Sequence, residues 1–217
     1  MPDPDGGRQA PSRGREAAGP AHRVTQRARF LAGVVAAQAP ALLLAAGVAR
    51  AVGPERSGLR EARPAGWVAA AASTGSLVWL TAAIRGTLAR RPRSRRWIAR
   101  ELEAVEPLNP ETRLEAAIYS VVAVQAGLLE ELIFRGLLPG LVLGGRHRTA
   151  VSRALVPAFG LGHSYQGAYR VITTGAIGLL LAEVARSGRS AHPAIALHCA
   201  LDLQLLWLMG HPLRPAA

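Results

Sequence analysis

The chain has one cysteine, Cys199, and no lysine, so all 26 of its basic residues are arginine. A single cysteine excludes an intrachain disulfide and any zinc site built from several cysteines. The sequence also lacks the His-Glu-x-x-His pattern of zinc peptidases and the Gly-x-Ser-x-Gly pattern of serine hydrolases. The exclusive use of arginine is typical of GC-rich coding and favours a bacterial origin.

Charge of one sign dominates, with a formal net charge of +12, yet half of the residues are hydrophobic. Such a charge can indicate nucleic-acid binding. Here the arginines stand apart from the apolar runs and lie between them, which is typical of the loops of a membrane protein. The sequence therefore predicts the lipid bilayer, and no nucleic acid, as a partner.

Long apolar runs predict an all-α fold, a polytopic transmembrane helical bundle of about six spans, because open sheets cannot lie in lipid. Three regions follow: a disordered basic cytoplasmic tail over residues 1–29, two helices with a basic cytoplasmic loop over 30–113, and a helical core over 114–210. The arginine-rich stretch near residues 85–100 places that loop, and the N-terminus, on the cytoplasmic side of the cell membrane. The predicted spans are 30–49, 67–84, 114–143 (ending as a helix near Arg135-Gly136, then broken at Pro139-Gly140), 149–166, 168–185 and 191–209, with a polar loop at 50–65.

Two adjacent carboxylates and an arginine, Glu130, Glu131 and Arg135, interrupt the apolar run of the third span. Each such charge at the middle of a membrane helix costs roughly 2.5–3.5 kcal/mol, so their presence indicates a function. Glu131 and Arg135 are four residues apart and share a helix face, which predicts an ion pair. Glu130 points about 100° away from that face and is free for chemistry.

Three more polar residues, His163, His198 and Asp202, lie on two further predicted helices, with His198 and Asp202 four residues apart. Each of them alone could simply form a hydrogen bond between helices. Six ionisable or polar groups on three helices instead favour a shared cavity, and a proton or ion pathway is the main alternative to an active site.

The residues match the three motifs of a known family in order, in spacing and in location on membrane helices. The sequence resembles the CPBP family of intramembrane endopeptidases, the CAAX proteases and bacteriocin-processing enzymes also called the Abi family, over about residues 114–209. The third motif ends in aspartate here, where asparagine is also common. The matching motifs are Glu130-Glu131-x-x-x-Arg135, Phe159-x-x-x-His163 and His198-x-x-x-Asp202.

The resemblance implies hydrolysis of a peptide bond, with Glu130 as general base, His163 holding the same water, and His198 and Asp202 facing the scissile carbonyl. The catalytic set is Glu130, Glu131, Arg135, His163, His198 and Asp202. The cofactor stays open: Glu130, His163 and His198 are suitable ligand types for zinc, and the family has been described both as metal-dependent and as glutamate-based.

The expected partner is a peptide or a membrane-protein substrate. In eukaryotic members of the family the substrate is a prenylated protein that loses its last three residues, whereas a bacterial member would process a peptide or a membrane protein. Two other hypotheses remain at this point: a non-catalytic membrane scaffold or bacteriocin immunity factor, and a proton-coupled transporter.

Overall fold

The computed structural model describes residues 20–88, 108–142 and 147–210, and over these residues the chain is helical without a β-strand. The predicted all-α bundle is confirmed. The elements are α1 (Pro20–Ser57), α2 (Pro64–Leu88), α3 (Arg113–Glu131), a π-helical segment (Leu132–Leu137), α4 (Leu138–Leu141), α5 (Arg148–Ala154), α6 (Val156–Leu161), a 3₁₀ turn (Ser164–Gln166), α7 (Ala168–Gly188) and α8 (His192–Gly210).

Four helical stretches in the described part are long and apolar enough to cross a membrane. The count of six spans therefore stays a prediction. The stretches are Thr25–Ser57, Pro64–Ile84, Arg113–Leu141 and Ala168–Gly188.

Helix α1 is longer at both ends than the sequence predicts. It begins at Pro20, ten residues before the predicted span, because arginine and alanine favour a helix beyond the apolar run. It also continues to Ser57, so the predicted polar loop at 50–65 is wrong over its first half. Gly53, with a φ of 81°, interrupts the helix, and Pro54 then occupies the first position of the resumed helix. Residues 1–19 of the predicted tail and residues 89–107 of the basic loop lie outside the described residues.

Helix α3 begins at a capping box in which the Thr112 hydroxyl accepts from the Glu115 amide and the Glu115 carboxylate accepts from the Thr112 amide. The predicted end of this helix near Arg135-Gly136, with a break at Pro139-Gly140, is wrong. The chain instead passes through the π-helical segment into α4 without leaving the helix axis. Pro139 is tolerated because it lies in the first turn of α4, where its missing N–H costs least.

The predicted single helix over 149–166 is also wrong, because α5, α6 and the 3₁₀ turn occupy these residues. Pro157 has no N–H to continue α5, and it stands instead in the first turn of α6. The predicted spans 168–185 and 191–209 correspond to α7 and α8.

Helix packing brings the polar motifs together at the centre of the bundle. Helix α3 packs against α1 on one side and α8 on another, while α7 packs against α2, α6 and α8. The largest buried cluster includes Phe159, Leu181, Val184 and Leu197, and it lies directly behind the motif residues.

Candidate active site

A buried ion pair between Glu131 and Arg135 lies on one side of the site. Nη1 of Arg135 donates to Oε1 of Glu131 at 2.8 Å, and both side chains are almost fully buried. The ion pair predicted from their spacing is confirmed. The guanidinium also donates through Nη2 to the Gly178 carbonyl at 2.6 Å, and its Cζ lies 4.4 Å from the centroid of the Phe159 ring. These contacts fix Arg135 to both α6 and α7.

His198 reaches the same carboxylate from α8. Its Nδ1 lies 2.9 Å from Oε1 of Glu131, and the residue is 7% exposed. Because an ionised carboxylate only accepts hydrogen bonds, Nδ1 carries the proton and Nε2 is the nitrogen left for other partners. Glu131 therefore links α3 to α8 and sets the tautomer of His198.

The remaining nitrogen of His198 faces two further carboxylates. Nε2 lies 3.9 Å from Oε2 of Glu130 and 3.6 Å from Oδ2 of Asp202, both longer than a direct hydrogen bond. The side chains of Glu130 and Asp202 are each about one-quarter exposed. In the part of the chain that the structure describes, Oε2 of Glu130 has no hydrogen-bond partner. The two adjacent glutamates thus differ. Glu131 is fully buried and its Oε1 is bonded twice, while its Oε2 has no partner among the described residues; Glu130 is about one-quarter exposed and its Oε2 is unpaired.

His163 stands at the edge of this group, immediately after α6 and not inside a long helix. Its Nδ1 lies 3.0 Å from the Phe159 carbonyl, which can only accept, so Nδ1 is the donor and Nε2 is again left over. The ring of Phe159 lies beside both imidazoles, with centroid distances of 5.4 Å to His163 and 6.0 Å to His198.

The structure thus joins five of the six predicted residues through contacts within 4 Å, and the sixth, His163, lies beside Phe159, whose ring is also close to His198. No group of three or more His, Cys, Asp or Glu side chains within residues 20–88, 108–142 and 147–210 is arranged to hold a metal ion. The candidate ligands Glu130, His163 and His198 therefore do not form a three-residue metal site among the described residues.

Sequence reasoning missed two glycines that let the helices approach. A Cβ at Gly178 would lie 2.8 Å from Cδ1 of Phe159 and 3.2 Å from Nη2 of Arg135. A Cβ at Gly127 would lie 2.7 Å from Sγ of Cys199. Small residues at helix contacts are a recognised signal in membrane proteins, and Gly127 stands one turn before Glu131, which could have revealed it.

Comparison with known proteins gives a family. No curated protein and no solved structure matches the chain significantly. Residues 112–204 match the family model described as type II CAAX prenyl endopeptidase Rce1-like, and this range includes every predicted site residue. The match confirms the resemblance to the CPBP family, and the apolar helices agree with a membrane location. Residues 112–204 are therefore an Rce1-like type II CAAX prenyl endopeptidase domain, and the apolar helices support a membrane-embedded protein.

Proposed function

We propose that the protein is an intramembrane endopeptidase in which Glu130 activates a water molecule for attack on a peptide carbonyl. The observation that carries this proposal is the contrast between the two glutamates. Oε1 of Glu131 is bonded by both Arg135 and His198, whereas Oε2 of Glu130 has no hydrogen-bond partner among the described residues and lies 3.9 Å from Nε2 of His198. A general base needs a free oxygen of this kind next to a second polar group.

A water molecule fits the geometry between Glu130 and His198. At about 2.8 Å from each of the two atoms it completes a triangle whose third side is the 3.9 Å separation. Glu130 takes a proton from this water, and the oxygen attacks the carbonyl carbon of the substrate. Glu130 then gives the proton to the leaving nitrogen as the C–N bond breaks.

The negative charge that develops on the carbonyl oxygen needs a donor. Nε2 of His198 supplies it when the imidazole carries its second proton, because Nδ1 is already committed to Glu131. Asp202, 3.6 Å from Nε2, stabilises that protonated ring. His163 accepts from the attacking water through its Nε2, while Glu131 and Arg135 act as positioning residues that hold His198 and touch no reacting atom.

The proposed substrate is a peptide or a membrane protein, and the family description favours a prenylated C-terminus. An apolar cavity of about 730 Å³ between α1, α3 and α8 supports a prenylated substrate, because it is lined by Leu128 and Leu132, which flank Glu130 and Glu131 in the sequence. A prenyl chain fits an apolar cavity of this size. Faster cleavage of a farnesylated peptide than of the same peptide without the farnesyl group is the expected result, and equal rates would contradict a role for the prenyl group.

We further propose that residues 114–210 form the catalytic core and that the chain crosses the cell membrane several times with a cytoplasmic N-terminus. The arginines between residues 85 and 100 support this orientation. A fluorescent protein that folds only in the cytoplasm, fused to the N-terminus, should fluoresce in cells; absence of fluorescence from an expressed fusion would contradict the orientation.

The central experiment measures cleavage of a quenched fluorogenic peptide, carrying an S-farnesyl cysteine followed by three residues, by purified protein in detergent. Glu130→Gln should lower kcat by a factor on the order of 10² to 10⁴, the usual contribution of a general base. Asp202→Asn should lower kcat less than Glu130→Gln does, since it removes the charge that stabilises the protonated ring but keeps a polar oxygen beside His198. The matched control is Glu183→Gln, which alters a surface carboxylate bound to Arg153 and Arg186 and should leave the rate unchanged.

Cleavage by Glu130→Gln at the wild-type rate would remove Glu130 as the base. Proton uptake into proteoliposomes on addition of a solute, without peptide cleavage, would favour a transporter instead. Metal analysis of the purified protein, with activity measured before and after chelation, tests whether a divalent ion takes part.

A further inference from the structure

Arg148, the first residue of α5, binds the backbone of the segment that carries Arg135. Its Nη2 donates to the carbonyl of Gly136 at 2.9 Å and to the carbonyl of Arg135 itself at 3.2 Å. Its Nη1 donates to the carbonyls of Arg56 at 3.1 Å and Glu55 at 3.3 Å in the last turn of α1. One guanidinium thus joins α5, the π-helical segment and α1.

The sequence explains why the Arg135 carbonyl needs an outside donor. In an α-helix this carbonyl would accept from the amide four residues later, but that residue is Pro139, which has no N–H. The π-helical segment also shifts the bonding pattern, because the Leu138 amide bonds to the Ile133 carbonyl, five residues back. The Arg135 carbonyl therefore lacks its usual α-helical donor in an apolar setting, where an unmet polar group is costly.

Glycines make the space for this contact. A Cβ at Gly140 would collide with the Arg56 carbonyl oxygen and with Nη1 of Arg148, and a Cβ at Gly58 would collide with Nη2. A Cβ at Gly136 would lie 2.6 Å from the Ser57 carbonyl oxygen. Three glycines on two segments therefore permit the α1 terminus, the π-helical segment and Arg148 to meet.

We propose that Arg148 is a positioning residue of the active site, one that fixes the backbone of Arg135 so that the Arg135 side chain can hold Glu131 and, through it, His198. The chain of contacts is continuous: Arg148 binds the Arg135 carbonyl, Arg135 binds Glu131, and Glu131 binds His198. This role rests on the proposed peptidase function only for its kinetic consequence, since the effect on the backbone is independent of the reaction catalysed. Arg148 itself touches no proposed reacting group.

The test uses the full-length protein in detergent with Arg148→Ala, Arg148→Gln and Arg148→Lys. The matched control is Arg153→Ala, which removes another arginine of α5 whose partner is the surface residue Glu183. The first measurement is amide hydrogen exchange of residues 132–141 by mass spectrometry. The second is kcat and KM for the farnesylated fluorogenic peptide.

Arg148→Ala should raise exchange in residues 132–141 at least several-fold over both wild type and Arg153→Ala. It should lower kcat on the order of 10- to 100-fold with little change in KM, as expected when catalytic groups move by about 1 Å. Arg148→Lys should recover part of kcat, because an ammonium can reach one or two of the four carbonyls but lacks the planar fork.

Exchange in Arg148→Ala equal to that of Arg153→Ala, or equal kcat values for these two variants in an active enzyme, would overturn the proposal. If Arg148→Ala does not fold, Arg148→Gln, which keeps a donor without the charge, is compared with Arg148→Lys by the same criteria. If the wild-type protein does not cleave the peptide, the proposed function fails, and the exchange comparison still decides whether Arg148 orders the Arg135 backbone.

Discussion

Helices α3 and α8 approach each other closely at Gly127, and we predict that Gly127→Ala impairs catalysis without altering a charged group. A Cβ at this position would lie 2.7 Å from Sγ and 3.1 Å from the backbone N of Cys199. Gly127 is one helical turn before Glu131, and Cys199 directly follows His198. The clash therefore falls beside the 2.9 Å contact between Glu131 and His198.

The size of the effect follows from these distances. Ordinary van der Waals contact begins at 3.4 Å, so Sγ would have to withdraw by about 0.7 Å and the Cys199 backbone by a few tenths of an ångström. A side chain can rotate, but the backbone of α8 moves only with the helix. Overpacking of this kind costs roughly 1–3 kcal/mol. Displacement of a catalytic group by up to 1 Å lowers the rate by up to about 100-fold.

Cleavage of the farnesylated fluorogenic peptide measures the result. Gly127→Ala should lower kcat at least several-fold, and Gly127→Leu should lower it further. Gly75→Ala is the matched control, because a Cβ at Gly75 has no atom within 4 Å. Adding Cys199→Ala to Gly127→Ala removes the sulfur contact and should restore part of kcat. A wild-type kcat in Gly127→Ala, with the protein folded, would refute the idea that the separation of α3 and α8 controls the site.

Two further predictions concern stability. Arg135→Met leaves the buried Glu131 carboxylate without its cation and should reduce the free energy of unfolding in detergent by about 3–5 kcal/mol. The double variant that adds Glu131→Leu should recover part of this loss. Equal stability of wild type and Arg135→Met would contradict the prediction. Thr112→Ala removes the N-cap of α3 and should cost roughly 0.5–2 kcal/mol of unfolding free energy while kcat stays unchanged. A lowered kcat in Thr112→Ala would show that the start of α3 is coupled to the site.

The spacing of residues along the sequence was sufficient to predict some features of the site. The ion pair of Glu131 and Arg135 depends on four residues of separation within one helix, and the structure contains it. The apolar runs that form α2, α7 and α8 were long enough to predict these helices directly from the sequence. Their catalytic use remains a prediction, because contacts alone do not identify a reaction.

Features that depend on tertiary contacts could not be predicted in this way. Asp202 is only four residues from His198, yet Glu131, which is 67 residues away in sequence, is the carboxylate that binds Nδ1. The π-helical segment was missed because Pro139-Gly140 is a local signal for a break. The Arg135 and Gly136 carbonyls there accept from Arg148, which lies on another element and is not visible as a local signal.

The division of roles between Glu130 and Glu131 also depends on more than the helical wheel. The wheel shows only that the two carboxylates point in directions about 100° apart. Which one is paired depends on Arg135, and the position of Arg135 depends on Gly178, Phe159 and the backbone bonds from Arg148. If these supports are removed, both carboxylates lie beside one imidazole with no fixed cation, and either could bind it. The specific geometry that leaves Glu130 unpaired is therefore a property of the packed bundle, which explains why uncharged positions such as Gly127 and Gly178 are expected to affect the rate.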